Sequence, residues 1–104
     1  MSIETQQTGN TARMSLSGEL TIYTAAEIKA SLAQVMGNAD EIEVDLSGIT
    51  EMDTAGLQLM LIAKRRAGKT VCFVKHAPIV MRLIDLANLG GVLGDLMVVG
   101  AAPT

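Results

Sequence analysis

DLSGITEMDTAGL, residues 45–57, contains the end of a predicted strand, a short link and the start of a helix. The strand covers residues 41–46, because apolar and charged side chains alternate there with the period of two that a half-buried strand shows. A link over residues 47–52 leads to Asp53 and Thr54, and the helix runs from about Ala55 to Arg66. We therefore expect Thr54 at the amino-terminal end of a helix that follows a central strand.

Further strands and helices are predicted on both sides of this unit. Upstream, residues 2–8 fit an edge strand, residues 13–17 alternate as a strand, and Thr24 with Glu27 fits a capping box that opens a helix. Downstream, residues 70–74 read as a buried strand, Pro78 opens a third helix, and residues 96–99 read as a last strand. The order β-β-α-β-α-β-α-β predicts an α/β fold, with a mixed sheet of about five strands and three main helices packed on it.

The overall composition limits the class of protein. The 104 residues fit a single domain, residues 1–104, and the net charge of −3 without a basic stripe argues against nucleic-acid binding. Cys72 is the only cysteine, which fits a reducing compartment. The amino terminus lacks a signal-peptide pattern, and no apolar run approaches the ~18 residues that cross a bilayer. We expect a cytoplasmic protein without direct membrane insertion.

Candidate catalytic residues are few. Glu43 and Asp45 alternate with the apolar positions of a strand, so a solvated face explains them, and His76 follows a strand where a solvated loop is expected. The sequence shows no nucleophile–base pair, no phosphate-binding loop and no metal-ligand spacing. We therefore expect no enzymatic activity, no metal and no cofactor.

The position of Thr54 suggests a switch. Free N–H groups at a helix amino terminus favour a phosphate, and phosphorylation would add about −1.5 to −2 charge beside Asp53 without breaking the fold. A docked partner would be repelled or crowded by the same group. The alternative is that Asp53 or Thr54 only caps the helix.

The helix after Thr54 is apolar on nearly all sides, since only Gln58 interrupts the run from Leu57 to Ala63. A helix that covers a sheet needs an apolar stripe of only about 100°. Either Leu59 or Ile62 therefore contributes to a docking surface beside Thr54, or the whole helix is buried between its neighbours.

Residues 45–57 closely resemble the signature of the STAS family, which includes bacterial anti-sigma-factor antagonists. SGELTIYTAAEIKASL at residues 17–32 and APIVMRLIDLANLGGVLG at residues 77–94 resemble the family's segments in the same order. Two positions depart from the pattern. Many members have Ser where this chain has Thr54, and Asp where it has Thr21.

The resemblance implies a protein-binding regulator with Thr54 as phosphoacceptor. Its partner would be a serine/threonine kinase that is also the anti-sigma factor and binds the unphosphorylated form. A second implication is a fixed subunit of a chemotaxis assembly or a phospholipid-transport ATPase, with Thr54 as a contact residue. The residues expected to bind the partner are Met52, Asp53, Ala55, Gly56, Gln58, Leu59 and Ile62.

Overall fold

The computed structural model describes residues 1–66 and 68–86. Within these ranges the chain forms four strands and three helices in the predicted order. The predicted last strand, residues 96–99, lies outside the described residues. The strands are β1 (Ser2–Thr8), β2 (Thr11–Leu20), β3 (Glu41–Met52) and β4 (Thr70–Val74), and the helices are α1 (Ala25–Asn38), α2 (Thr54–Lys64) and α3 (Pro78–Leu86).

The sheet is mixed, with the strand order β1-β2-β3-β4. β1 and β2 form an antiparallel hairpin that turns at Gly9, whose φ of 61° suits glycine. β2 and β3 are parallel, as are β3 and β4, because α1 and α2 return the chain across the sheet. As a result, the carboxyl ends of β2 and β3 and the starts of α1 and α2 lie at one edge of the sheet.

The core lies between one face of the sheet and the helices. Burial alternates along β2 as far as Leu16 and along β3 as far as Leu46, and β4 buries Val71, Phe73 and Val74. Each fully buried large aliphatic side chain contributes about 1.5–3 kcal/mol by leaving water. The other face is polar, where Arg13 pairs with Glu43 (N–O distance 2.9 Å) and Lys75 with Asp45 (3.8 Å). Glu43 and Asp45 therefore lie on the polar face, as predicted. The largest fully buried side chains are Met14, Leu20, Leu46, Met60, Ile84, Val44 and Val80.

β3 is longer than the alternation of its sequence indicates. The predicted link at residues 47–52 is wrong, because these residues continue the strand as far as Met52 and pair with the second half of β2. The pairing contains two register shifts, one of them at Gly48. A Cβ on Gly48 would press against the Ser17 hydroxyl and lie 2.9 Å from the Leu16 carbonyl oxygen, so glycine permits this close approach.

Gly56 fixes the start of α2 against the end of β2. A Cβ at this position would collide with the Leu20 carbonyl oxygen and lie 2.8 Å from the Leu20 Cγ. Leu20 is itself only 1% exposed, so the collision would fall on backbone and on a packed side chain. The first turn of α2 therefore lies as close to β2 as a glycine allows.

We predict that Gly56→Ala lowers the free energy of unfolding by about 1–3 kcal/mol, the usual effect of overpacking, although alanine favours helices. Gly37→Ala is the matched control, since Gly37 is also helical but has open space around it. The control should be more stable than the parent by about 0.5–1 kcal/mol. Urea denaturation measures both variants, and equal gains in stability would contradict the proposed contact with Leu20.

Candidate functional site

The candidate site forms where β2 and β3 end side by side. Leu20 and Met52, the last residues of the two strands, are register partners. The chain leaves β2 into a short loop, residues 21–24, and leaves β3 into Asp53, whose N–H donates to the Leu20 carbonyl at 3.3 Å. The loop before α1 and the first turn of α2 are therefore neighbours because of the parallel pairing.

Asp53 joins these two segments through its carboxylate. One oxygen, Oδ1, accepts hydrogen bonds from the N–H groups of Ala55 (3.0 Å) and Gly56 (3.2 Å), which makes Asp53 the amino-terminal cap of α2. The other oxygen, Oδ2, accepts from the N–H of Ile22 at 3.0 Å. The donation from Ile22 is the main cause that holds the pKa of the Asp53 carboxyl below its ordinary value, although partial burial opposes it.

Thr54 is exposed and is the first residue of α2, as predicted. Asp53 supplies the cap, so the capping alternative is right for Asp53 and does not involve the Thr54 hydroxyl. No described residue forms a side-chain hydrogen bond with that hydroxyl. The oxygen is thus open to solvent, to a modifying enzyme or to a partner.

The other residues expected to bind a partner differ in accessibility. Gln58 is exposed and Ile62 is 56% exposed, whereas Met52 and Ala55 are half-buried. The expectation that Leu59 reaches the surface is wrong, since Leu59 is 7% exposed and packs into the core. Gly56 is also buried, against Leu20. Leu59 and Gly56 therefore support the surface residues by packing under them. Partner binding by the other five residues stays a prediction.

Sequence reasoning missed two surface residues next to Asp53. Ile22 is 68% exposed and Tyr23 is 89% exposed in the loop between β2 and α1. The signal was present, since a large apolar side chain and the only tyrosine follow each other between a strand and a helix. Their closeness to Thr54, however, follows from the hydrogen bond of Asp53 to Ile22, which joins residues 31 positions apart.

The predicted capping box at α1 is wrong. The Thr24 hydroxyl makes no cap hydrogen bond to α1, because it accepts from the Thr21 N–H (3.0 Å) and donates to the Glu19 carbonyl (2.8 Å). Thr21, one of the two positions that depart from the pattern described in the sequence analysis, is 8% exposed, and its hydroxyl accepts from the Tyr23 N–H. Both threonines therefore close the loop on itself and hold it in shape.

His76 is not the solvated loop residue expected from its position after β4. Both ring nitrogens are shielded from water and find no hydrogen-bond partner among the described residues, and burial lowers the pKa of the imidazole. Over residues 1–66 and 68–86 no three His, Cys, Asp or Glu side chains are grouped to hold a metal ion. The described helices include none with the length and hydropathy that a bilayer span needs.

Comparison with known proteins gives one family and several structural neighbours. The family described as "Mlab, STAS domain" matches residues 3–98. A search of curated proteins returns no significant match.

The solved structures similar to this chain include two described as anti-sigma factor antagonists and one of the cell fate determinant SpoIIAA. An anti-sigma factor antagonist from Mycobacterium paratuberculosis has a TM-score of 0.74 at 21% identity, covering 88% of this chain and 80% of its own. A putative one from Thermotoga maritima has a TM-score of 0.74 at 19% identity, covering 98% and 86%. The Bacillus cell fate determinant SpoIIAA in its phosphorylated form has a TM-score of 0.66 at 20% identity, covering 86% of each chain. At these identities the likeness establishes the fold.

We predict that Asp53→Ala lowers the free energy of unfolding by about 1–2 kcal/mol at pH 7, because α2 loses its cap. A lowered pKa means that the carboxylate stabilises the fold above about pH 4, the ordinary pKa of aspartate, and that this stabilisation is lost as the pH falls through the lowered value. The difference between parent and variant in urea denaturation should therefore shrink below about pH 4.

Asp85→Ala, which removes an exposed carboxylate from α3, is the matched control and should change stability little at either pH. A difference between the parent and Asp53→Ala that stays constant down to acid pH would show that the Asp53 charge does not hold the two segments together.

Proposed function

Because the chain belongs to the STAS domain family, we propose that it is a non-enzymatic, protein-binding regulator that resembles anti-sigma-factor antagonists. In this proposal the surface around Thr54 binds a serine/threonine kinase that also acts as an anti-sigma factor. Phosphorylation of Thr54 by that kinase ends the contact.

The observation that carries the proposal is the division of roles between Asp53 and Thr54. Asp53 already occupies the N–H groups of Ala55 and Gly56, so the Thr54 hydroxyl can be modified without removing a cap. A phosphoryl group on Thr54 would find those two N–H groups taken and would project outward. The positive end of the helix dipole offsets part of its repulsion from the Asp53 carboxylate.

The added charge would weaken the binding of the partner more than it would lower the stability of the domain. A partner packed over Thr54 would meet about −1.5 to −2 units of new charge next to the carboxylate of Asp53. Moving such a group from water into an interface without a countercharge has a large unfavourable free energy, so the complex would be weakened. SpoIIAA, which shares the fold, is described in a phosphorylated form, and this supports the proposal.

Two exposed apolar side chains support a protein as the partner. Ile22 and Tyr23 lie in a loop held by backbone and hydroxyl hydrogen bonds and joined to the cap of α2. Large apolar and aromatic side chains on a rigid loop are typical of the residues that carry most of the binding energy in protein interfaces. They extend the surface beyond the residues that the sequence indicated.

The rival proposal keeps the same surface but makes Thr54 a contact residue in a fixed chemotaxis or phospholipid-transport ATPase assembly. In that case the hydroxyl itself donates or accepts a hydrogen bond across the interface. Replacing it with an isosteric methyl group would then leave a polar group of the partner unpaired. The contact proposal therefore predicts that Thr54→Val loses affinity for the partner, whereas the switch proposal predicts nearly unchanged affinity.

We predict that Thr54→Glu lowers the affinity for the partner at least about tenfold, whereas Thr54→Val keeps it within about threefold. The partner is first identified by mass spectrometry of proteins that co-purify with the tagged domain from its own cells. Its affinity for each variant is then measured by calorimetry with purified proteins.

Thr11→Glu is the matched control, because Thr11 is exposed at the start of β2, at the opposite end of the sheet from Thr54. It adds the same charge and should not change the affinity. If Thr54→Glu bound the partner as tightly as the parent does, the phosphorylation switch would be wrong. Strong loss in Thr54→Val, with no phosphate in the mass of the native protein, would favour the contact role.

A further inference from the structure

α2 carries an exposed stripe that starts at Thr54 and ends far from it. Thr54, Gln58 and Ile62 are four residues apart, so they lie on one face of the helix, and all three are exposed. With a rise of 1.5 Å per residue, Ile62 lies about 12 Å along the axis from Thr54. The stripe therefore connects the candidate site with the other end of the helix.

At that end the stripe runs into a groove between α1 and α2. Ile62 borders the groove on the α2 side and Ala33 on the α1 side, with Leu32, Met36 and Leu59 among the side chains that line it. Ile62 is 56% exposed although it belongs to an otherwise largely buried helix. Ile62 therefore leaves apolar surface exposed to water beside an apolar groove. An apolar side chain of a partner placed in the groove would bury that surface.

Positive charges border this groove. Lys29 of α1 and Arg66 after α2 line it, and both residues are exposed. α2 contains no acidic residue, and the ion pairs between described residues involve neither Lys29 nor Arg66. This basic end contrasts with the net charge of −3 of the whole chain.

We propose that the groove between α1 and α2 is a second docking point for the protein partner and receives one of its aliphatic side chains, flanked by carboxylates that pair with Lys29 and Arg66. The proposal rests on the proposed function only in taking a protein as the partner. It adds the chemistry that the partner must present about 12 Å from the residue that contacts Thr54.

The size of the groove and the number of charges favour a protein segment over other occupants. Its cavity volume is about 70 Å³, whereas sites for small molecules usually measure about 300–1,000 Å³. One side chain fits such a space. A surface that binds anionic lipids usually gathers about 4–8 basic residues, whereas the basic residues among the described residues that line the groove are Lys29 and Arg66.

The test uses a short helical peptide with two leucines on one face, each flanked by glutamates, and a second peptide with lysines in place of the glutamates. Amide shifts of the labelled full-length domain are followed by NMR. The acidic peptide should bind with a Kd on the order of 0.1–1 mM and shift the amides of Ala33, Ile62 and Arg66, and the basic peptide should not bind.

Charge reversal provides the decisive comparison. The double variant Lys29→Glu/Arg66→Glu should bind the acidic peptide roughly tenfold more weakly and should instead bind the basic peptide. Arg82→Glu, an exposed charge reversal on α3, is the matched control and should behave like the parent. Ile62→Ser should weaken the acidic peptide as well, because it removes the apolar wall.

Several results would overturn the proposal. In the peptide titrations, these are no binding of the acidic peptide, equal binding of both peptides, or amide shifts confined to other surfaces. In sedimentation, the contrary result is a dimer of the domain with Ile62 buried in its interface. With phosphatidylglycerol vesicles, it is the same amide shifts without any peptide. The peptide experiment reports on the groove alone, because it uses neither the protein partner nor a Thr54 variant. A failure at the groove is therefore separate from a failure of the switch, which the partner affinities of the Thr54 variants measure.

Discussion

The carboxylate of Asp53 holds the candidate site together. It accepts hydrogen bonds from the first turn of α2 and from Ile22 in the loop before α1, so two segments that are distant in sequence share one anion. The three donors are backbone N–H groups, which cannot move without moving the chain. The position of α2 relative to the Ile22–Tyr23 loop is therefore fixed by one side chain and by the parallel pairing beneath it.

Two glycines make that pairing close enough for the carboxylate to span the gap. Gly48 lets β3 approach β2 at a register shift, and Gly56 lets the first turn of α2 lie on the Leu20 carbonyl. A larger residue at either position would separate the two strand ends or lift α2 from them. The signature around residues 45–57 thus combines residues that shape the backbone with residues that face solvent, and their chemical roles follow from the difference.

The sequence predicts the order of elements and the start of α2 because period-two and helical patterns are strong in this chain. It does not predict the full length of β3, since the register shift at Gly48 interrupts the alternation by which a strand is recognised. It also cannot tell that Leu59 is buried and Ile62 exposed, because a helix that is apolar all round has no pattern that orients it. Burial of the His76 ring likewise depends on tertiary packing.

Asp53 caps α2, while the Thr54 side chain faces solvent. A modification at Thr54 would therefore change the binding of a partner and hardly change the stability of the domain. If Thr54 were the cap, its phosphorylation would disturb the hydrogen bonds that fix α2, and the signal would include partial unfolding of the helix end. Because Asp53 supplies the cap, α2 would keep its position in both states of the proposed switch. The proposed switch would then be electrostatic and local: charge would change at one end of the exposed stripe, while the apolar groove and the cations that line it at the other end would keep their form. A partner that touches both ends would lose only one of its two contacts on phosphorylation, so the stability of the phosphorylated complex would depend on how much of the binding energy the groove supplies.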